Sequence, residues 1–483
     1  MICTLKKAKD RWDAVPLTVK VSTSYAICSI LQRCLSFITL PLFTRILTEE
    51  QYGQYAVYSS WSGILSIFLT LNLAYGSFST AMVKYENERD AYIASVEGIC
   101  LLLSGVFLMI YLPFRKYWNL VFELPSYLVV LMVFEILCNS AILFWSGKKQ
   151  FEFKYKSVIT LTLSLSVFSP VAAFFLVSCS EEKGYARIIG YAIVTIVIGS
   201  CVYIFNLIKG KKLYQREFWK YALQFNVPLL AYYLSQVVFN QSDRIMISHI
   251  SGKDKAAFYD VAYNLAMVLT FVLNAINNAY IPWFYERLKK GEQSENKRVS
   301  CGIALLMAIL LLAVIWFAPE IILIMAGEKY HKAIWVVAPV AMSLLLLFYA
   351  QLFINVEFFY EEKKLLVWAS FGAALTNIVM NALLIPVWGF VAAGYTTLAS
   401  YIIFVVSNYF AMKKVLDKRG MKGDAYNMQG LIGIFAVFAV CGCLGTALYA
   451  YFMIRIAVAL IVLLAIWHFR KYLRELIKQI QKQ

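Results

Sequence analysis

Charged residues and histidines are scarce in this chain of 483 residues. Asp, Glu, Lys and Arg make up only 15% of it, and there are three histidines in all. A soluble domain is about 25% charged and about 45–50% apolar, whereas this chain is 61% hydrophobic. The apolar residues form long blocks separated by short basic stretches. A soluble globular class is therefore excluded, and an integral membrane protein is indicated.

Sequence signatures of catalysis and of nucleotide use are also missing. We find no G-x-x-x-x-G-K-[ST], no G-x-S-x-G and no H-E-x-x-H. The ten cysteines are scattered, and Cys441 and Cys443 lie in an apolar segment with no histidine or acid nearby, which makes a poor metal site. We therefore predict no enzyme, no catalytic residues, no metal and no other cofactor.

Fourteen apolar segments are long enough to span a bilayer, which takes about 20 residues. The basic start of the chain and the length of the first apolar run predict a retained first helix rather than a cleaved leader. The predicted spans are 20–42, 53–75, 90–113, 125–147, 156–178, 187–208, 218–248, 256–281, 299–318, 333–355, 365–386, 389–412, 429–450 and 453–469.

The basic residues predict how these spans are oriented. With the N-terminus in the cytoplasm, 33 of the 45 Lys and Arg residues fall on the inner side and 10 on the outer side. Such a bias favours both termini in the cytoplasm and an even number of helices. The net charge of +17 lies in the connections, which indicates membrane lipids rather than nucleic acid as partners.

Two weak internal echoes predict a duplicated architecture. Thr44-Arg45-Ile46-Leu47 and the tyrosines after it resemble Asp243-Arg244-Ile245-Met246 and its following tyrosines, and Glu135-x-x-x-Asn139 resembles Gln351-x-x-x-Asn355. Each echo links helices six spans apart, which gives them the same orientation. The predicted fold is therefore all-α and polytopic, with two parallel six-helix lobes at 1–212 and 213–420. Residues 421–483 add two helices and a basic cytoplasmic tail.

Polar residues follow one face of the first predicted helix and one face of the seventh. Their spacing of mostly three and four residues is that of a helix face. We expect these two stripes to line a water-filled cavity and to bind substrate. The candidate substrate-binding residues are Tyr25, Ser29, Gln32 and Arg33 in the first helix, and Gln236, Asn240 and Arg244 in the seventh.

The two arginines and one glutamate allow alternative interpretations. Arg33 lies about 20 Å along the first helix from Lys20, where it either awaits an anion or extends to the outer surface. Arg244, beside Asp243, is equally compatible with an interfacial anchor. Glu135 lies near the midplane of the fourth helix, where it either binds the proton or cation that drives transport or is a neutral acid bonded to a neighbouring helix.

Several stretches resemble one branch of a transporter superfamily. They are Leu40-Pro41-Leu42-Phe43-Thr44-Arg45 with Gln51-Tyr52-Gly53-Gln54-Tyr55, Asp243-Arg244-Ile245-Met246-Ile247-Ser248, Gly327-Glu328-Lys329-Tyr330, and Pro386-Val387-Trp388-Gly389. The chain resembles the Wzx-type O-antigen and capsule flippases, which are polysaccharide transporters of the multidrug/oligosaccharidyl-lipid/polysaccharide exporter superfamily.

This resemblance implies an alternating-access flippase in the bacterial inner membrane. Its substrate would be a polyprenyl-pyrophosphate-linked oligosaccharide, with Arg33 meeting the pyrophosphate, and a polysaccharide polymerase would be a further partner. A lipid II flippase or a multidrug transporter of the same fold, or a membrane-embedded polysaccharide enzyme, remain alternatives. The multidrug branch often carries an acid in its first helix, where this chain carries Arg33. Polymerases usually carry a large outer loop, which is not predicted here.

Overall fold

The computed structural model describes residues 17–290, 293–362, 364–420 and 425–458. Within these ranges the chain forms helices joined by turns, and no strand occurs. This confirms the all-α prediction. Internal contacts divide the chain into two compact units, Met1–Ile245 and Met246–Gln483.

From residue 17 onward the first unit is described as ten helices, of which the last continues past Ile245. A short 3-10 helix, Glu86–Glu88, precedes α4 and another, Val227–Leu229, precedes α10. The helices are α1 Leu17–Ile46, α2 Glu49–Thr70, α3 Phe78–Lys84, α4 Arg89–Tyr111, α5 Arg115–Phe122, α6 Ser126–Phe151, α7 Tyr155–Cys179, α8 Lys183–Gly210, α9 Arg216–Asn226 and α10 Leu230–Ser251.

The second unit continues with eight helices, and a 3-10 helix, Glu328–Ala333, lies before α15. A further helix begins at residue 452 and is described as far as residue 458. The eight are α11 Lys253–Met267, α12 Thr270–Lys290, α13 Gln293–Trp316, α14 Ala318–Met325, α15 Ile334–Phe359, α16 Lys364–Trp388, α17 Phe390–Lys418 and α18 Met428–Ala447.

Eleven helical segments of the described chain are long and apolar enough to cross a membrane. They coincide with eleven of the fourteen predicted spans, so the polytopic helical fold is confirmed. Helices α2 and α10 match two more predicted spans and are each 22 residues long. Both carry too many polar residues to count among the eleven, α2 through its serines and glutamines and α10 through the stripe that includes Arg244. The fourteenth predicted span, 453–469, lies mostly outside the described residues.

The predicted seventh span, 218–248, is not one continuous helix. It consists of α9, the 3-10 turn Val227–Leu229 and α10. Proline has no backbone N–H to donate to the carbonyl one turn back, so Pro228 interrupts the α-helical hydrogen bonding. Val227 before it keeps a helical backbone, with φ −59° and ψ −42°. Asn226 fixes the break, because its Nδ2 donates to the Ser77 hydroxyl at 2.7 Å and to the Ala222 carbonyl at 2.9 Å.

Local signals set where several helices begin. Thr48 and Gln51 form a capping box at the start of α2, in which the Thr48 hydroxyl accepts from the Gln51 backbone N–H and the Gln51 side chain accepts from the Thr48 N–H. Such reciprocal bonds satisfy two donors that the first helical turn leaves open. Helix α17 starts after Gly389, whose φ of +68° favours a residue without a Cβ atom.

Helix α8 lies at the centre of the first unit. It packs against α7, α6, α4 and α2, and α1 packs against α7. One apolar cluster includes Tyr92, Phe144 and Phe218, and another includes Leu128 and Ile188. The second cluster lies between α2, α6 and α8, and it holds in place the helices that carry the polar residues described below.

Helix α15 forms the core of the second unit and is almost entirely buried. It packs against α17, α13, α11 and α18. Beyond α18, Arg455 makes a two-pronged ion pair with Glu320 of α14, at 2.8 Å and 2.6 Å. It also donates to the Trp316 carbonyl at 2.6 Å. The start of the last helix is therefore tied to the second unit.

The boundary between the two compact units lies inside α10, after Ile245. The predicted division at 1–212, 213–420 and 421–483 placed it before α9, and that division stays a prediction. Helix bounds also bear on the internal echo. Glu135 is nine residues past the first residue of α6, whereas Gln351 is seventeen past the first residue of α15, so the two residues differ in depth relative to their own helices.

Candidate functional site

The first unit contains a polar cavity of about 370 Å³ between α2, α6 and α8. Hydroxyl, amide and carboxyl groups form much of its wall, where a membrane-spanning helix usually presents apolar side chains. The polar groups that line it are Ser62, Ser66, Thr70 and Asn72 from α2 and the turn after it, Glu135, Asn139 and Ser140 from α6, and Thr195 from α8.

Glu135 is the acidic group of this cavity. The Tyr58 hydroxyl of α2 donates to its Oε2 at 2.6 Å, and the side chain is partly buried. Among the described residues no basic side chain pairs with it. A carboxyl group with a hydroxyl donor and an open polar cavity, and without a cation beside it, is suited to binding a proton or a small cation.

The candidate residues of α1 differ in what they contact. Gln32 donates through Nε2 to the Ser166 hydroxyl of α7 at 3.3 Å. Tyr25 is half-buried, and Ser29 is exposed. Arg33 belongs to α1, and its side chain lies outside the described part of the structure. Three of the four residues are thus described, and one of them connects α1 to α7.

The candidate residues of α10 form a ladder along one face of their own helix. Asn240 Nδ2 donates to the Gln236 carbonyl at 2.7 Å, and Arg244 Nη1 donates to the Asn240 carbonyl at 2.9 Å. Arg244 is 6% exposed, so its guanidinium is a buried cation. Each side chain bonds the backbone one turn before it.

Gln241 was not predicted, and it connects α10 to a helix of the cavity wall. The Ser60 hydroxyl of α2 donates to its Oε1 at 3.2 Å, and its side chain packs against Gly63. The signal was present, since Gln241 lies next to Asn240 in the same polar run. A spacing of three and four residues selects a single helix face, and Gln241 lies beside that face.

Arg187, the first residue of the predicted span 187–208, lies near the start of α8 and is buried. It is 5% exposed, and its guanidinium carbon lies 3.9 Å from the ring centroid of Tyr55 and 4.5 Å from those of Phe43 and Tyr52. Aromatic faces attract a guanidinium electrostatically, so Arg187 holds α1 and α2 against α8.

Three lysines surround Glu152, the residue that follows α6: Lys148 and Lys149 lie in the last turn of α6, and Lys154 comes after it. Glu152 lies 3.3 Å from Lys148 and 3.0 Å from Lys149 and Lys154, measured between nitrogen and carboxylate oxygen. Partial burial acts to raise the pKa of Glu152, but the hydrogen bonds from Lys154 and Lys149 and the charge of Lys148 lower it to about 2. Glu152 therefore carries its negative charge at any physiological pH.

The sequence pattern of the family described as polysaccharide biosynthesis protein matches residues 19–288. The chain belongs to this family. The match begins in α1 and ends in α12, so it includes the whole cavity wall and both polar stripes.

Two relatives extend the similarity along the chain. A protein of the lsg locus of Haemophilus influenzae is 23% identical over 380 residues, which cover 76% of this chain and 90% of that protein. An uncharacterized membrane protein of Methanocaldococcus jannaschii is 20% identical over 293 residues, which cover 58% of this chain and 56% of that protein.

Solved structures show which fold this family member has. The lipid II flippase MurJ in its inward closed conformation superposes with a TM-score of 0.64 at 15% identity, over 93% of this chain and 99% of that chain. An inward-facing multidrug resistance MATE family transporter of the MOP superfamily gives 0.58 at 12% identity, over 80% and 96%. The chain thus has the fold of these transporters, and the predicted family and fold are confirmed.

Proposed function

We propose that this chain flips a polyprenyl-pyrophosphate-linked oligosaccharide across a bacterial inner membrane by alternating access, for O-antigen or capsule synthesis. Membership of a polysaccharide biosynthesis family supports the substrate class, and a fold shared with a flippase supports transport rather than enzymatic chemistry. The observation that carries the proposal is the polar cavity with its single carboxyl group, Glu135, inside a membrane-spanning bundle. Both termini would lie in the cytoplasm, and a polymerase would take up the product.

The anionic headgroup would meet the polar faces of α1 and α10. Arg33 would bind the pyrophosphate, because a guanidinium matches phosphate oxygens in charge and geometry. Tyr25, Ser29 and Gln32 would bind neighbouring oxygens of the headgroup. Arg244, Asn240 and Gln236 would contribute in the same way from the polar face of α10. The polyprenyl tail would stay in the lipid.

Glu135 would couple transport to an ion. Uptake of a proton or a small cation neutralises a carboxylate inside a low-polarity region, which changes the free energy of that conformation relative to its alternative. The hydrogen bond from Tyr58 links this change to α2. The cavity would therefore carry the ion, separately from the residues that bind the headgroup.

The first test replaces Arg33 by alanine and by lysine in a strain whose surface polysaccharide depends on this gene. We expect Arg33→Ala to abolish the polymer at a normal level of membrane protein and Arg33→Lys to retain part of it, because lysine keeps the charge but not the paired donors. Arg45→Ala is the matched control, since Arg45 is an exposed arginine near the end of the same helix. Normal polymer in both Arg33 variants would remove Arg33 from the binding site.

A lipid II flippase is the second candidate, and similarity to MurJ over 99% of that chain favours testing it. The test is expression of this chain in cells depleted of their own lipid II flippase. We expect no rescue of growth, because the substrate that we propose carries a surface-polysaccharide repeat unit rather than the peptidoglycan unit of lipid II. Full rescue would reassign the substrate while leaving the flippase mechanism in place.

A further inference from the structure

Glu97 of α4 is a further carboxyl group inside the first unit, and it is not among the residues predicted from the sequence. Its side chain is fully buried. Asn206 of α8 donates through Nδ2 to its Oε1 at 2.6 Å, and among the described residues its Oε2 has no hydrogen-bond partner. No basic side chain of the described chain pairs with it. A carboxyl group in such surroundings is suited to binding a proton.

The titratable groups around Glu97 come from the three helices that enclose it. Cys100 lies one turn along α4, and Tyr203 lies on α8 one turn before Asn206. Cys138 lies on α6, with its sulfur 3.4 Å from the Ser200 hydroxyl of α8. Asn206 also donates to the Ala141 carbonyl of α6 at 3.5 Å, next to Ser140. The Tyr203 hydroxyl has no partner among the described residues. The cluster thus contains a carboxyl group, two thiols and a hydroxyl, and no described basic side chain belongs to it.

The ion pair between Lys148 of α6 and Asp90 of α4 fixes the relative depth of these groups. It makes the end of α6 level with the start of α4, so the two helices run antiparallel. From this pair Glu97 is seven residues along α4, or about 10 Å at 1.5 Å per residue, and Ser140 is eight residues back along α6, or about 12 Å. Glu135 is thirteen residues back, or about 20 Å.

Ser140 therefore lies at the level of Glu97 and also lines the cavity that holds Glu135. We propose that Glu97 is a proton-binding site that exchanges protons with Glu135 through Ser140 and the cavity. A proton then passes from the membrane surface at Lys148 to Glu97 and on to Glu135. In the second step Glu97 becomes the carboxylate and Glu135 the acid, and no other bond changes. This inference rests on the proposed transport function.

The first experiment reads proton binding directly, in the purified full-length chain in lipid nanodiscs. Infrared difference spectra between low and high pH follow the carbonyl stretching band of protonated carboxyl groups. We expect Glu97→Gln and Glu135→Gln each to remove a separate component of this band. Asn206→Leu keeps the carboxyl group but removes its donor, so we expect the Glu97 component to shift rather than disappear. If Glu97→Gln leaves the pH-dependent band unchanged, Glu97 has only a structural role, and the proposal is overturned.

The second experiment measures surface polymer in the dependent strain, with the proton gradient intact or dissipated by a protonophore. We expect Glu97→Gln to lower the polymer and to show no further fall on dissipation, unlike the wild type. Glu357→Gln is the matched control, because Glu357 is a buried carboxyl of α15 without a hydrogen-bond partner among the described residues. We expect it to behave like the wild type.

The two experiments separate the possible failures. If polymer does not depend on the gene at all, the transport function fails, while the infrared spectra still report whether Glu97 binds a proton. If polymer depends on the gene but Glu97→Gln responds to the protonophore like the wild type, the proton path alone is overturned. If Glu97→Gln does not accumulate in the membrane, Asn206→Leu provides the spectral test.

Discussion

At the scale of residues, polar side chains inside the bundle differ in where their hydrogen bonds go. Asn240 and Arg244 bond the backbone of their own helix one turn back, whereas Gln32 and Glu135 bond side chains of a neighbouring helix. A bond within one helix survives any movement of that helix as a rigid body. A bond between helices is made or broken when they move. Glu135 is therefore placed to sense helix movement.

We predict that Glu135→Gln abolishes polymer export at a normal protein level. The amide keeps the shape and still accepts a hydrogen bond from Tyr58, but it cannot take up and release a proton. Tyr58→Phe removes a single hydrogen bond, worth about 1–3 kcal/mol, so we expect a partial loss. The measurement is surface polymer against membrane protein level.

The control for this pair is Glu88→Gln, because Glu88 is exposed and lies outside the cavity. It should export polymer like the wild type. Export by Glu135→Gln at the wild-type level would mean that Glu135 serves only to hold α6 against α2.

The position of Glu135 was predictable, while its partner was not. An acid in an apolar run is costly in a bilayer, so sequence alone marks it as notable. The same rule applies to Glu97, an acid within the predicted span 90–113 that was not among the predicted site residues. Tyr58 and Arg187 could not be assigned in this way. Tyrosines and arginines near span ends are common in any membrane protein, and only packing shows that Arg187 is buried under rings.

At the scale of elements, small residues let α8 approach its neighbours closely. A Cβ atom added to Gly190 would lie 2.3 Å from the Ala173 Cα of α7, and one added to Gly199 would lie 2.6 Å from the Cys138 Cβ of α6. Without a hydrophobic force between helices in lipid, close packing of this kind is a main source of their association. The absence of a side chain at these two glycines thus lets α8 pack closely against α7 and α6.

We predict that Gly190→Ala destabilises the protein by about 1–3 kcal/mol, the usual cost of overpacking. The added methyl group would meet backbone atoms of α7, which cannot move alone. Gly105→Ala in α4 is the control, because a Cβ there meets nothing within 4 Å. Alanine favours a helix over glycine, so we expect no loss. The measurement is the thermal unfolding midpoint in detergent, and equal midpoints for both variants would contradict the proposed packing role.

Helix bounds show which elements the sequence could predict. Long apolar runs correctly predicted the eleven spans found in the described chain, because bilayer thickness dictates their length. The break at Pro228 was missed because apolar and polar residues continue on both sides of it, and the run was counted by length alone. The signal available in the sequence was Pro228 two residues after the polar Asn226.

At the scale of the whole molecule, charge predicts the orientation of both units. Lys148, Lys149 and Lys154 cluster with Glu152 at the end of α6. Arg115 and Lys116 belong to α5, which follows α4 at the opposite ends of the spans. Three basic residues against two do not decide the orientation locally. The bias of 33 to 10 over the whole chain predicts an orientation with both termini in the cytoplasm.

We predict that both termini face the cytoplasm. Alkaline phosphatase, which is active only outside the inner membrane, should be active when fused after Glu123 and inactive when fused after Glu152, and a fluorescent protein should show the reverse. The control is a fusion at the C-terminus, which should match the one after Glu152. The opposite pattern would invert the topology and exchange the surfaces assigned to the proton path.

The ion pair of Arg455 and Glu320 changes how the end of the chain is to be regarded. Arg455 supplies donors to the Glu320 carboxylate, to the Trp316 carbonyl and, at 3.3 Å, to the Tyr449 carbonyl. A chain cut before residue 455 would leave all three acceptors without their donor. A shortened protein made to isolate the twelve-helix part would thus lose a fastening of α13 and α14, so engineered deletions and tags belong beyond this residue.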